Sequence, residues 1–446
     1  MDVGRPLARF ARERAFDDLP PEVQTAAVRN AVNMVGCMLG GARHDATEHT
    51  LRALTAAGTA SGPSRLLGRP EKLPPLEAAL VNGQASAAHA YDDTHLETVL
   101  HPAGPIAAAL LAEAERRTVS GKDFLAALTI GVEVACRIAR MLAAPPAEAE
   151  FSWYMTGVAV PFGAAAAAGP LLGLDNDQML HALGLAASAA GEVRNNLGSM
   201  CTSLIPGQAG RHGYWAAIAA SEGVTAAPTV FEAANGFAAV YAKKPAPENA
   251  VDGLGERWEI LNNMAKPYPS GIVTHPVIDA CLEIAAAPGF NAAKIRSIDI
   301  DVSPVCLKLT DRPDPPTAQL AQVSTQHWAA VSLVRRAAGI PEGTQDAVDD
   351  KAVRAARSKI TATADDAMTP DQARVRVATT DGVVYESFIE HATGSLERPM
   401  DDAALDAKFL GQAQLVVSED ASTALLSDCR ALAGAGDMRD LIAAAR

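Results

Sequence analysis

The segment His89-Ala90-Tyr91-Asp92-Asp93-Thr94-His95, with His101-Pro102 just beyond it, places paired carboxylates, a hydroxyl and imidazoles close together. The whole chain of 446 residues has ten histidines, so this is a local concentration. Carboxylate, hydroxyl and imidazole groups together can move protons and grip a small acid. Asp and His also suit a divalent metal. No H-x-x-x-H partner accompanies them, so the expectation is no metal. Helix caps and surface ion pairs would use the same residues.

Three further segments could contribute chemistry. Glu192 to Ser203 is a polar, glycine-containing connection whose Arg194, Thr202 and backbone N–H groups could hold a carboxylate. Cys201 within it is a weaker candidate nucleophile, since no base is placed beside it by sequence. Lys266-Pro267-Tyr268-Pro269 is followed by Thr274-His275-Pro276, where Thr274 reads as an N-cap and Pro276 as a first-turn proline. That puts His275 at a positive helix end, which favours neutral imidazole, a form able to act as a base. Ser324-Thr325-Gln326-His327 begins an amphipathic helix, and a backbone carbonyl satisfying His327 is an ordinary alternative to a catalytic role.

These residues need elements to position them. From about 20 to 245 the pattern predicts successive helices, near 20–41, 74–91, 105–117, 121–142, 157–172, 176–190 and 208–222. Near 257 the character changes. Ile295, Ile298, Ile300 and Val302 nearly alternate, and Ala373 to Glu390 reads as a hairpin turning at Asp381-Gly382. Helices are expected between them near 275–287, 319–338 and 349–357. After Met400 the helical pattern resumes and is expected to pack back on the first part. The expected class is mostly α: a large all-helical domain, 1–258 with 400–446, plus a smaller α+β lid domain, 259–399.

Composition narrows the options. Hydrophobic residues make up 49% and aromatics only 4%, which favours closely packed Ala-rich helices over a sheet-based core. The net charge of −14 argues against nucleic acid as a partner, though a few local cations could still serve an anionic substrate. The six cysteines are scattered without a C-x-x-C pair, which fits a reducing cytoplasmic setting. Met1 to Arg14 lacks an apolar signal core, and Pro161 and Pro170 interrupt the long apolar run, so no membrane association is expected.

In order along the chain, Asn82-Gly83, Tyr91-Asp92-Asp93-Thr94-His95 with His101-Pro102, Gly131-Val132-Glu133-Val134 and Gly163-Ala164-Ala165-Ala166 form a set. Leu172-Gly173-Leu174, Gly198 with Gly207, Lys266-Pro267-Tyr268-Pro269 with His275, and Gly394-Ser395-Leu396 with Pro399-Met400-Asp401-Asp402 extend it. The set resembles the 2-methylcitrate dehydratase/cis-aconitate decarboxylase (MmgE/PrpD) family over nearly the whole chain. The resemblance implies a helical domain and an α+β lid, a homodimer, an active site between the domains, and cofactor-free chemistry on a small carboxylic acid. Known activities include dehydration, decarboxylation and epimerisation.

Carried over by resemblance, Thr94, His101 and His275 match catalytic or substrate-binding positions, while Asp93 and Lys266 match motif positions of less defined role. Several family residues are replaced: an aspartate by Ala90, a histidine near Tyr154, a lysine by Thr202, a histidine by Ile205 and a lid tyrosine by His327. Losing the lysine matters, because unit charges about 4 Å apart interact by roughly 4 kcal/mol at an effective dielectric near 20. Together with Trp153, Tyr154 and Ile205, its loss predicts a substrate with fewer carboxylates, or with an alkyl or aryl group replacing one.

The expected activity is that of a lyase acting on a hydroxy acid. His275 is the expected base, His101 or Tyr154 the acid, and His327 a second candidate base. Asp93, Thr94, His95, Arg194, Thr202, Lys266 and Tyr268 are expected to bind substrate. An epimerase, a decarboxylase and a catalytically silent acid-binding homologue are the alternatives.

Overall fold

The computed structural model describes residues 1–149 and 152–445. Its first part is built on α1 (Pro21–Gly41), α2 (Pro75–Ala87), α3 (Ala103–Ala114), α4 (Gly121–Ala143), α5 (Met155–Leu172), α6 (Asn176–Ala189) and α7 (Cys201–Ser221). Their ends follow local rules. Proline opens α1 and α2, where a missing N–H costs nothing. Ser120 caps α4, Asp175 and Gln178 form a reciprocal cap on α6, and left-handed Gly173 ends α5.

Two helix boundaries differ from the sequence expectation. The helix expected over 74–91 stops at Ala87, and Ala90 then takes a left-handed φ of 51°. The helix expected from 208 begins at Cys201 and runs through Pro206, which gives up one helical hydrogen bond and made the sequence expectation start too late. Thr202 therefore sits on the first turn of α7 rather than in a loop.

Alanine and glycine let α4, α5 and α7 lie close together. A Cβ on Gly213 would collide with the Pro161 carbonyl and the Ala164 side chain, and one on Gly163 with the Gly131 carbonyl. α5 is long and apolar enough to cross a membrane by length and composition, but Met155 through Gly169 are buried inside the protein.

Two short strands, β1 (Asp93–His95) and β2 (Asn263–Ala265), pair antiparallel. Beyond them lies a four-stranded sheet of β3 (Ile295–Val302), β4 (Ile360–Ala364), β5 (Ala373–Thr379) and β6 (Val384–Ile389), in the order β6-β5-β3-β4. β3 and β4 are parallel, and the other pairs are antiparallel. The alternation seen in the sequence is the burial pattern of β3, whose Ile295, Ile298, Ile300 and Val302 face the core. Gly382, with φ of 86°, turns the hairpin. α8 (His275–Ala286) and α9 (Thr325–Arg335) complete this second unit, and α10 (Asp402–Ala413) follows it.

The fold is mostly α, with a small α+β domain. Strand β4 and the helix Pro304–Thr310 were not anticipated: each is short, and neither has a clear period. The helix expected over 319–338 is broken, into Ala318–Ala321 and α9, because Ser324 caps α9 by accepting from the His327 N–H at 3.0 Å. The helix expected over 349–357 is found as Lys351–Arg357, capped by Asp350, and is preceded by a separate short helix, Gln345–Asp349, that was not anticipated.

One hydrophobic core joins residues between Val3 and Ile260 to Leu405 through Ala445, and a second spans Val273 to Ile389. Ile260 and Ala265 belong with the first core. The passage between the cores thus falls later than the expected boundary at 259, because β2 is held by β1.

Overpacking the helix contact tests this account. Gly213→Ala is expected to lower unfolding free energy by about 1–3 kcal/mol in urea denaturation. Gly411→Ala, on α10 with open space around it, should instead raise it by up to about 1 kcal/mol. A neutral Gly213→Ala would refute the close-approach argument.

Candidate active site

The β1–β2 pairing assembles the site. Asp93 lies opposite Ala265, so Asp92 and Lys266, one step beyond, are neighbours. The Lys266 ammonium lies 2.5 Å from the Asp92 carboxylate, with only 3% and 6% of these side chains exposed. Lys266 also donates to the Ala90 carbonyl at 3.2 Å, which the left-handed turn presents to it. Burial opposes ionisation of Asp92, but the nearby Lys266 and His101 outweigh it and hold the carboxyl below its ordinary range.

Asp93 is the opposite case. Burial, then the Asp92 charge, pushes its carboxyl up to about 6. It accepts from the Ala103 N–H at 3.0 Å and from the Asn263 amide at 2.6 Å. Adjacent carboxylates are thus driven apart in acidity by environment.

His101 is oriented by the same strand. Its Nδ1 lies 2.7 Å from the Asp93 carbonyl oxygen, which can only accept. Nδ1 therefore carries the proton, with Thr94 Oγ1 a weaker second contact at 3.2 Å. This leaves the Nε2 lone pair free to act as a base. Burial, then Lys266, pushes the imidazole down to about 4, so it is neutral at physiological pH.

Tyr154 stands before α5, its ring centroid 6.1 Å from that of His101. Burial, then Asp92, raises its phenol, which keeps its proton. The polar connection of residues 191–200 is held against Ser152–Tyr154. The Tyr154 N–H donates to the Glu192 carbonyl at 3.1 Å and the Arg194 N–H to that of Ser152 at 2.8 Å. The Arg194 guanidinium donates to the Trp153 carbonyl at 2.9 Å.

Asp92, His101, Tyr154, Arg194, Thr202 and Lys266 all line one cavity between the two cores, and Ile272, Val273, Leu309 and Thr310 close it from the lid side. Its volume is about 90 Å³.

Other expected site residues lie elsewhere. His275, the expected base, is buried at the first residue of α8, where it lines a neighbouring cavity, with its ring edge-on to Tyr268. Neither ring nitrogen makes a well-formed hydrogen bond, although the Ser270 backbone lies near enough to favour the protonated form; burial, then Lys266, outweighs it and pushes the imidazole down to about 3. Thr274 holds the N-cap position but turns its hydroxyl back to the Gly271 carbonyl at 2.7 Å.

His327 lies in the lid, away from both cavities, where its Nε2–H donates to the Glu342 carbonyl at 2.8 Å. His95 is locked between Thr98 at 2.8 Å and Glu259 at 3.2 Å. The Tyr268 hydroxyl donates to Asp279 at 2.5 Å. Asp93 and Thr94 support His101 from behind rather than line the cavity. Ile205 and Trp153 also lie outside the cavity lining, so of the three apolar replacements only Tyr154 faces it.

Sequence reasoning missed Lys408. This buried α10 residue donates to the Tyr91 carbonyl at 2.6 Å and the Lys266 carbonyl at 2.9 Å, with its ammonium 4.2 Å over the Tyr91 ring. Burial pushes it down to about 8. A lysine flanked by Leu405, Phe409 and Gln412 on the buried face was the available signal. Among the described residues, His95, Glu97 and Glu259 could form one metal cluster and Asp371, His391 and Glu397 another. Neither lies in this cavity, and Arg140 already pairs with both Glu97 and Glu259.

The family model of the MmgE/PrpD N-terminal domain matches residues 5–250, and that of the C-terminal domain matches residues 268–431. The cis-aconitate decarboxylase of Aspergillus terreus is 26% identical over 443 residues, covering 93% of this chain and 89% of that protein. The cis-aconitate decarboxylase of Homo sapiens is 28% identical over 379 residues, covering 81% and 78%. The cis-aconitate decarboxylase-like protein oryM of Aspergillus oryzae is 25% identical over 469 residues, covering 99% and 97%.

Removing one partner of the buried pair should strand the other charge. Lys266→Met is expected to cost about 3–5 kcal/mol in unfolding free energy. The double variant Asp92→Asn/Lys266→Met should recover part of that loss. A cost below about 1 kcal/mol for the single variant would show that the pair does not support the fold.

Proposed function

The chain belongs to the MmgE/PrpD family, and from that premise we propose that it is a lyase whose reaction turns on a proton beside a carboxylate of a small acid. The observation that carries this reading is the fixed tautomer of His101, a neutral imidazole whose Nε2 lone pair is free beside Lys266, Tyr154 and Arg194.

In the proposed dehydration, His101 Nε2 takes the proton alpha to the substrate carboxylate. The freed electron pair forms the carbon–carbon double bond and expels the β-hydroxyl. That group leaves as water with the Tyr154 proton, and the proton on His101 returns to the phenolate through solvent. Acid and base are thus separate groups, as elimination requires. Lys266 and Arg194 stabilise the carboxylate as charge builds on it. His101 takes the role of base that the sequence alone suggested for His275.

Carboxy-lyase chemistry is the second reading, favoured by the names of the relatives. In it, loss of carbon dioxide leaves the electron pair on carbon and a proton is delivered there. Thr202 in place of a lysine supports a substrate with fewer carboxylates than a tricarboxylate. A homodimer, and action without a cofactor, remain part of this proposal.

Incubation with mono-, di- and tricarboxylic acids in heavy water, followed by mass spectrometry, tests the reading. An unsaturated acid formed with loss of water supports the dehydratase, and carbon dioxide with a deuterated product supports the decarboxylase. Faster turnover of citrate-like tricarboxylates than of less charged acids would refute the substrate preference.

The base assignment has its own checks. His101→Asn should lower kcat/KM by about 10²–10⁴-fold. Because the base must be neutral and its acidity lies near pH 4, kcat/KM should stay flat down to about pH 5 and fall as pH drops through 4. An acidic limb near 6.5 would point to an ordinary exposed imidazole instead.

A further inference from the structure

A second cavity, of about 530 Å³, lies against the first. The two share Val99, Ile272, Val273 and Leu309, so a partition of apolar side chains stands between them. The far side is lined by Leu96, Val305, Ala392 and Leu396 among others. Among the described residues no lysine or arginine lines it; of its acidic residues, Glu97 pairs with Arg140, and Asp371 and Glu397 with His391. The first cavity has the reverse character, with Lys266 and Arg194 in its wall. An anion is therefore favoured in the first cavity and disfavoured in the second. His275 contributes a buried imidazole with neither nitrogen in a well-formed hydrogen bond, a polar contact without a net charge when neutral.

We propose that the second cavity is a subsite for an uncharged alkyl arm of the substrate, whose carboxylate end lies in the first cavity near Lys266 and Arg194. The inference rests on reading the first cavity as a carboxylic-acid site, and it deepens that reading by naming the substrate class: a short-headed, alkyl-substituted acid. The arm passes the partition at Val99, Ile272, Val273 and Leu309, the residues that line both cavities. Among the described residues no lysine or arginine lines the second cavity, so a second anionic end would find no such partner in its wall. The imidazole of His275 offers a hydrogen bond to a hydroxyl or carbonyl on the arm.

Equilibrium binding of succinate, methylsuccinate, butylsuccinate and hexylsuccinate, measured by calorimetry, tests this without relying on turnover. Affinity is expected to rise about 4-fold per added methylene while the arm fills the cavity. Val305→Phe narrows that cavity and Leu396→Asp adds a charge to it, and neither residue lines the first cavity. Each should abolish the dependence on chain length while leaving the affinity for succinate unchanged. Affinity independent of chain length, a dependence that survives both variants, or no binding by any of the four acids would overturn the proposal. Turnover is measured separately. A chain-length dependence without any product would uphold the subsite and count against the lyase reading.

Discussion

The buried ion pair of Asp92 and Lys266 is the constraint around which the cleft is organised. Taking two charges out of water costs several kcal/mol for each ion, and only close pairing with further hydrogen bonds offsets it. The chain meets that demand with strand pairing. β1 and β2 bring Asp92 to Lys266, the left-handed turn at Ala90 supplies another acceptor, and Lys408 fixes the carbonyls of Tyr91 and Lys266 from a third part of the chain. Three distant segments are thereby committed to one geometry. His101 inherits it, because the carbonyl that fixes its tautomer belongs to Asp93 on the same strand.

Burial then sets the acid–base character of the groups nearby. It lowers the imidazoles of His101 and His275 and raises the phenol of Tyr154 and the carboxyl of Asp93. The shared direction is toward the neutral form. Against that background Asp92 and Lys266 stand out as paired charges, and an entering carboxylate meets hydrogen-bonding groups that need little reorganisation.

Much of this was legible in the sequence, because the periodicity of the helices and the alternation of β3 are local properties. The segments holding His101, Arg194, Thr202 and Lys266 were also recognisable, since polar residues clustered there, whereas Tyr154 was reached only through the family resemblance. What could not be read was direction. Asp92 and Asp93 are adjacent, and successive side chains of an extended chain point to opposite faces. Which one meets the cleft is decided by pairing with residues 263–265, far away in sequence. His275 was placed correctly at a helix start, but α8 turns it into the adjoining cavity. His327 follows from its capping serine, and that cap holds it within the lid. Lys408 lies so far from the other site residues that only the return of the C-terminal helix reveals its part.

The position of Lys266 carries one more consequence. It lies where the chain leaves the first core for the second, yet its charge is held by Asp92 in the first. A displacement of the second core beyond Pro267 would leave this pair intact and carry Ile272, Val273, Leu309 and Thr310 together. One that pivots earlier must pull a lysine out of its counter-ion in a dry environment. The ion pair would therefore resist any bending of the chain before Lys266, and the charged floor of the cleft is tied to the first core rather than to the second.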